Sequence, residues 1–130
     1  MDPVCPCGSH QAYAECCGRF HSGAATAPTA ETLMRSRYSA YARRDADYLL
    51  RTWHPTTRPR RLEFEPDLRW TKLEVRFTTG GSLFDSEGTV LFEAHYTDRG
   101  RVGSMTENSQ FTKVAGQWLY VGAITPSPSR

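Results

Sequence analysis

No run of this 130-residue chain approaches the roughly 18 consecutive apolar residues that span a bilayer, so the sequence predicts no membrane segment. Its first residues, Met1-Asp2-Pro3-Val4, carry neither the basic start nor the apolar stretch of a secretory leader, and the expected location is the cytoplasm. Charge of one sign is missing too. Sixteen Lys and Arg stand against fourteen Asp and Glu, a formal net charge of +2. Four thiolates around one divalent ion would bring that to about zero, so global charge gives no argument for nucleic acid. The chain has no phosphate-binding loop, dinucleotide fingerprint or nucleophile elbow, which removes the nucleotide-binding and hydrolase classes that a sequence announces most readily. Internal repeats are absent as well.

Cysteine is the most telling absence. None occurs after Cys17; all four lie in Cys5-Pro6-Cys7-Gly8-Ser9-His10-Gln11-Ala12-Tyr13-Ala14-Glu15-Cys16-Cys17-Gly18. A vicinal Cys16–Cys17 bridge would close a strained ring, and Cys5–Cys7 suits the usual disulfide Cα separation poorly. Crossed bridges would need an oxidising compartment of which the sequence gives no sign, and redox-sensing thiols are a further alternative. Ligand number and spacing favour one structural zinc ion on Cys5, Cys7, Cys16 and Cys17. Four protein thiolates leave no open coordination position, so a catalytic zinc is not expected. So short a knuckle buries little, and its folding free energy must come from the metal, on the order of 10–16 kcal/mol in zinc-finger peptides. His10 and His21 are expected at the surface, with a place in or behind the metal shell as the alternative.

The chain divides into a zinc knuckle at 1–18, a small, polar linker at 19–28, a main domain at 29–126 and a disordered tail at 127–130. In the knuckle, 11–15 reads as a helical turn and Gly18 as a helix stop. Phe20 is a candidate tether. Thr29 to Arg44 reads as a helix, capped by Thr29 and with Leu33, Met34, Tyr38 and Tyr41 on one face; Asp45 caps a second, shorter helix that Pro55 ends. The segment 56–68 reads as loop, with a short strand around Leu62–Phe64. After Trp70 the period changes from 3.6 to 2. Leu73, Val75 and Phe77 alternate with charged residues. Val90, Phe92, Ala94 and Tyr96 share a face of a second strand, Met105, Glu107, Ser109 and Phe111 of a third, and Trp118, Tyr120 and Ile124 of a fourth. Helices followed by hairpin-connected strands predict an α+β fold, a curved antiparallel sheet with helices on its concave face, and hence a cone with a pocket.

The spacing Cys-x-Cys, eight residues, Cys-Cys, with Gly8, Ser9, Tyr13 and Gly18 around it, resembles the SEC-C zinc motif. That motif is known from the tail of the SecA preprotein-translocase ATPase, where it binds zinc and engages the chaperone SecB. The resemblance implies zinc on Cys5, Cys7, Cys16 and Cys17. It departs at His10, where the family usually has Gly. The rest of the chain resembles the YchJ-like family of small bacterial SEC-C proteins, through Thr29-Ala30-x-x-Leu33-Met34-Arg35-Ser36-Arg37-Tyr38-Ser39-Ala40-Tyr41 and the strand signatures around Phe92, Glu107 and Trp118. Thr106 stands where that family often has His. The resemblance implies a nuclear-transport-factor-2-like (NTF2-like), cystatin-like main domain and no assigned activity.

Within the cone, Glu107 and Ser109 are expected to point inward, with Arg37, Tyr38, Tyr41 and His95 within reach. A desolvated Glu107 beside a tyrosine is a candidate acid/base. The reading set against it is a satisfied pair between Glu107 and Arg35 or Arg37. The aromatic residues Trp53, Trp70, Trp118 and Tyr120 are expected as core. The first functional reading is a zinc-binding adaptor that meets a protein partner through the knuckle, by analogy a translocation or ribosome-associated factor. The alternative is a small-molecule site or acid/base enzyme in the cone, built on Glu107. A weaker alternative is nucleic acid on Arg51, Arg58, Arg60 and Arg61, which requires one continuous basic stripe; a solvated face is the reading preferred for those arginines.

Overall fold

In a computed structural model of the chain, residues 4–124 are described; the expected tail and the last two residues of the expected main domain lie outside them. A 3-10 turn at Tyr13–Glu15 runs into α1 (Cys17–His21), and α2 (Ala30–Arg43) and α3 (Ala46–Arg51) follow. The chain then forms β1 (Leu68–Gly80), β2 (Glu87–Asp98), β3 (Arg101–Val114) and β4 (Gln117–Ala123), paired antiparallel in sequence order. Helices and strands are thus segregated along the chain, the α+β layout expected.

Caps set the helix boundaries. Thr29 Oγ1 accepts from Thr32 N at 3.1 Å and Asp45 Oδ1 accepts from Tyr48 N at 3.1 Å. Each side chain satisfies an amide that the first helical turn leaves without a partner. Between the two helices, Arg44 takes a left-handed φ of 59° and turns the chain. Thr29→Ala is expected to lower the free energy of unfolding by about 1 kcal/mol, measured by chemical denaturation.

Alternation along the strands builds the core. Val90, Phe92 and Ala94 of β2, Phe111 of β3 and Trp118 of β4 face Leu33, Met34 and Tyr38 of α2. The turn after β1 lies directly beneath the start of α2. Ala30 N donates to Gly81 O at 2.9 Å, and a Cβ on Gly81, whose φ is 75°, would come within 2.7 Å of Ala30 Cβ. Residues 52–54 cover the free edge of β4: Tyr120 N donates to Thr52 O and His54 N to Tyr120 O, both at 2.8 Å.

Several local expectations are corrected. The register of β1 slips between Val75 and Phe77, so Val75 opposes Phe92 on the inner face while Phe77 opposes Leu91 and is 63% exposed. The strand expected at 62–64 is irregular, although Leu62 and Phe64 still pack on the core. Ile124 lies just beyond β4, tied by its N–H to Asn108 O at 2.7 Å. The segment expected as a linker starts inside α1, where Phe20 joins the main core. Gly18 does not stop a helix. It sits in the first turn of α1, where a Cβ would meet Tyr13 O at 2.7 Å. Among the described residues no helix is long and apolar enough to cross a bilayer.

Candidate functional site

Two sites come out of this fold, a cysteine cluster on one side of α2 and a cavity on the other. In the cluster, the Sγ atoms of Cys5, Cys7, Cys16 and Cys17 all lie within 4.8 Å of one another, and the residues are 1 to 8% exposed. None is disulfide-bonded, and the Cys7 and Cys16 sulfurs are 3.6 Å apart. A tetrahedral ion with metal–sulfur bonds of about 2.3 Å needs neighbouring sulfurs about 3.8 Å apart, so the four thiols fit a metal ion of that kind. Two elements bring them together. The tight loop at Cys5–Cys7 is closed by Cys5 N donating to Gln11 O at 2.8 Å, and the 3-10 turn delivers Cys16 and Cys17 from the other side. Hydroxyls stand ready to donate to the sulfurs: Ser9 Oγ is 3.1 Å from Cys16 Sγ and Ser39 Oγ is 3.4 Å from Cys5 Sγ. The hydrogen bond from Cys17 draws the Cys7 thiol down to about 4; the same bond pushes Cys17 up, and burial raises Cys16.

His10 occupies the loop with a left-handed φ of 67°, a conformation that costs an L-residue about 1–2 kcal/mol. A glycine adopts that conformation freely. His10→Gly is expected to raise the thermal midpoint, by up to about 1 kcal/mol of stability, and to leave metal content unchanged.

The knuckle is docked on α2. Arg35 Nη1 donates to Cys7 O at 3.1 Å while its Nε holds Glu31 at 3.0 Å. His21, expected at the surface, is buried, with a side chain 5% exposed. Its Nε2 donates to Ser36 O at 2.8 Å, which fixes the tautomer and leaves Nδ1 to accept from the Tyr13 hydroxyl. Burial lowers its pKa below the usual histidine value. Arg51 Nη2 donates to Phe20 O and His21 O, each at 2.9 Å, and the Arg43 guanidinium lies 3.8 Å from the Tyr13 ring centroid.

The opposite flank of α2 faces a cavity of about 240 Å³ between the helix and the sheet. Arg37, Tyr38 and Tyr41 of α2 line it with Glu107 and Ser109 of β3 and Tyr120 of β4. Glu107 Oε2 accepts from Ser109 Oγ at 2.6 Å and from the Tyr120 hydroxyl at 2.8 Å. Burial and the neighbouring carboxylate push the Tyr120 hydroxyl well above the usual range, so it donates and stays neutral.

The expected pairing of Glu107 with Arg35 or Arg37 does not form. Arg35 serves the knuckle, and Arg37 Nη1 donates to Leu49 O at 2.8 Å and to Thr52 Oγ1 at 2.7 Å. His95 does not reach the cavity either. It sits on the outer face of β2, its Nε2 3.1 Å from Glu74 Oε1. Trp70 and Tyr120 pack against the core as expected and also line the cavity, and Trp53 supplies one of two rings under Arg37.

Three of the four arginines considered for nucleic acid are engaged within the chain, and Arg60 makes no hydrogen bond or ion pair among the described residues. Arg51 docks α1, Arg58 donates to Trp53 O at 3.0 Å, and Arg61 pairs with Glu63 at 3.2 Å. On the outer sheet face Glu74, Glu93 and His95 cluster, but Arg76 pairs with both carboxylates.

Comparison with known proteins gives consistent matches. Residues 29–123 match the family model described as YchJ, middle NTF2-like domain, and residues 4–19 match the SEC-C motif. A UPF0225 protein of Streptomyces coelicolor is 57% identical over 118 residues, covering 91% of this chain and 92% of the relative. One from Corynebacterium glutamicum is 50% identical over 120 residues, covering 92% and 95%. The solution structure of a SEC-C motif containing protein from Rhodopseudomonas palustris superposes with a TM-score of 0.79 at 32% identity, over 98% of this chain and 100% of that one. The crystal structure of a SEC-C motif containing protein from Psychrobacter arcticus shares the fold, with a TM-score of 0.75 at 23% identity, over 98% of this chain and 86% of that one.

Proposed function

This chain belongs to the YchJ family of SEC-C motif proteins with an NTF2-like domain, and from that premise we propose that it is a small-molecule-binding protein whose N-terminal knuckle is built on one structural zinc ion. The ligands are the thiolates of Cys5, Cys7, Cys16 and Cys17. Held by four thiolates, the ion would supply a structural cross-link and offer no position for substrate. Ser9 and Ser39 hold sulfurs by donation, and Arg35 holds the Cys7 carbonyl. The chain works in the cytoplasm, where thiols stay reduced.

The observation that carries the binding role is the convergence of Glu107, Ser109 and Tyr120 in an otherwise apolar cavity, with no arginine paired to the carboxylate. A few polar groups set in an apolar concavity are the usual makeup of a ligand site. The test is a thermal-shift and NMR screen of small aromatic compounds against the parent chain and Ala94→Leu, which narrows the cavity. The expected result is a set of compounds that bind the parent and lose affinity for the variant. Equal binding by both chains, or none by either, would overturn the cavity reading.

A second reading gives the knuckle a protein partner of the translocation or ribosome-associated kind. It is supported by the SEC-C match and by the exposure of Val4, at 62%. Co-sedimentation with purified ribosomes, lost in Val4→Asp, is expected on this reading; no co-sedimentation of the parent chain removes the ribosome from it.

A further inference from the structure

Arg37 is buried more deeply than its bonds to the fold require. It is 4% exposed, yet its hydrogen bonds run through Nη1 alone, to Leu49 O and Thr52 Oγ1. A guanidinium carries five N–H donors. Nε and Nη2 have no protein partner among the described residues, and the group lies 4.9 Å from the Trp53 ring centroid and 4.5 Å from that of Tyr120. On the same cavity, Glu107 Oε2 accepts two hydrogen bonds while Oε1 accepts none among the described residues. Tyr120 stands between the two groups, its hydroxyl on the carboxylate and its ring face against the guanidinium. The cavity therefore presents a donor edge and an acceptor oxygen that no described protein group uses, between apolar walls that include Met34, Trp70 and Phe92.

Resting on the reading of this cavity as a ligand site, we propose that it takes a neutral, flat heteroaromatic of one or two rings, with an acceptor for Arg37 and an N–H or O–H donor for Glu107. Charge decides against ions. One buried cation and one carboxylate already balance, and a charged ligand would leave one charge unmatched against apolar walls. Size decides against larger molecules, because about 240 Å³ lies below the usual range for drug-sized ligands. Aromatic walls favour a flat partner, held by offset or edge contacts. Tyr38 and Tyr41 add hydroxyls without adding charge, since burial pushes Tyr38 up to about 12 and raises Tyr41.

The test uses three matched probes on the full chain, followed by amide shifts and calorimetry. They are 2-quinolone, with adjacent N–H and carbonyl; 1-methyl-2-quinolone, which lacks the donor; and quinoline-2-carboxylate, an anion. The expected result is saturable binding of 2-quinolone with shifts in α2 and β3, weakened about tenfold by N-methylation, and weaker binding of the anion. Glu107→Gln, confirmed as folded by its spectrum, is expected to lose the preference for 2-quinolone over its N-methyl analogue. Tighter binding of the anion, or equal binding of both quinolones to the parent chain, would overturn the ligand class and leave the cavity reading standing. Failure of all three probes to shift the cavity residues would overturn both.

Discussion

Cys16→Ser is expected to purify without zinc, against one equivalent in the parent chain, and to carry an unfolded knuckle on an intact sheet domain. Both halves follow from how the buried residues are partitioned. Cys5, Cys7, Cys16 and Cys17 form a cluster of their own with Tyr13, separate from the core that Leu33, Tyr38, Val90, Phe111 and Trp118 build under α2. The small cluster has almost no apolar surface beyond its sulfurs, so its folding free energy must come from the metal, on the order of 10–16 kcal/mol in zinc-finger peptides. A serine hydroxyl is a poor replacement for a thiolate, and the site loses most of that. The large core does not need the ion. It loses the bonds that Arg35 and Ser39 make to the knuckle, about 1–2 kcal/mol together, and keeps its packing. Metal analysis and amide dispersion read the two effects separately. Parent protein that is metal-free, with four alkylatable thiols and an unchanged fold, would end the metal assignment; one equivalent of iron would keep the site and change the ion.

Much of this architecture is legible in the sequence because its signals are local. Metal ligation gathers residues close in the chain, and the caps at Thr29 and Asp45 act three residues away. The change of period after Trp70 marks the sheet. Inward-facing Met105, Glu107, Ser109 and Phe111 follow from simple parity. The same parity turns His95 away from the Ala94 face, against the expectation that it would reach Glu107. What the sequence hides is set by distant backbone. A one-residue slip after Val75 sends Phe77 outward without any marker residue. His21 is buried because Tyr13, Ser36 and Tyr48 meet around it from separate elements. Arg35 and Arg37 illustrate the limit best. Two positions apart on a helix they point to different flanks, so they could not both serve Glu107. One holds the knuckle and the other enters the cavity, and only the docked position of α2 decides which.

Arg37→Ala is expected to destabilise the fold by about 3–5 kcal/mol, and Arg37→Met by only about 1 kcal/mol, in chemical denaturation. Alanine leaves a void between the rings of Trp53 and Tyr120 and removes a donor from Leu49 O. Methionine fills much of that void, and Leu49 O keeps a longer contact from Thr52 Oγ1 at 3.3 Å. The guanidinium is itself held at a cost. Burial draws its pKa below the usual arginine value, to about 10, so at neutral pH it remains charged in a place that disfavours the charge. Because the folded-state value is the lower one, that destabilising contribution is present at neutral pH and diminishes only as pH rises past about 10. A buried cation that the fold itself disfavours needs another reason to be there. On the ligand reading, Arg37→Met keeps most of the stability and loses 2-quinolone affinity by at least about tenfold, whereas Thr52→Val, which removes a protein partner of the same guanidinium, keeps it. A methionine variant as unstable as the alanine variant, or one that binds 2-quinolone as the parent does, would make Arg37 a structural residue alone.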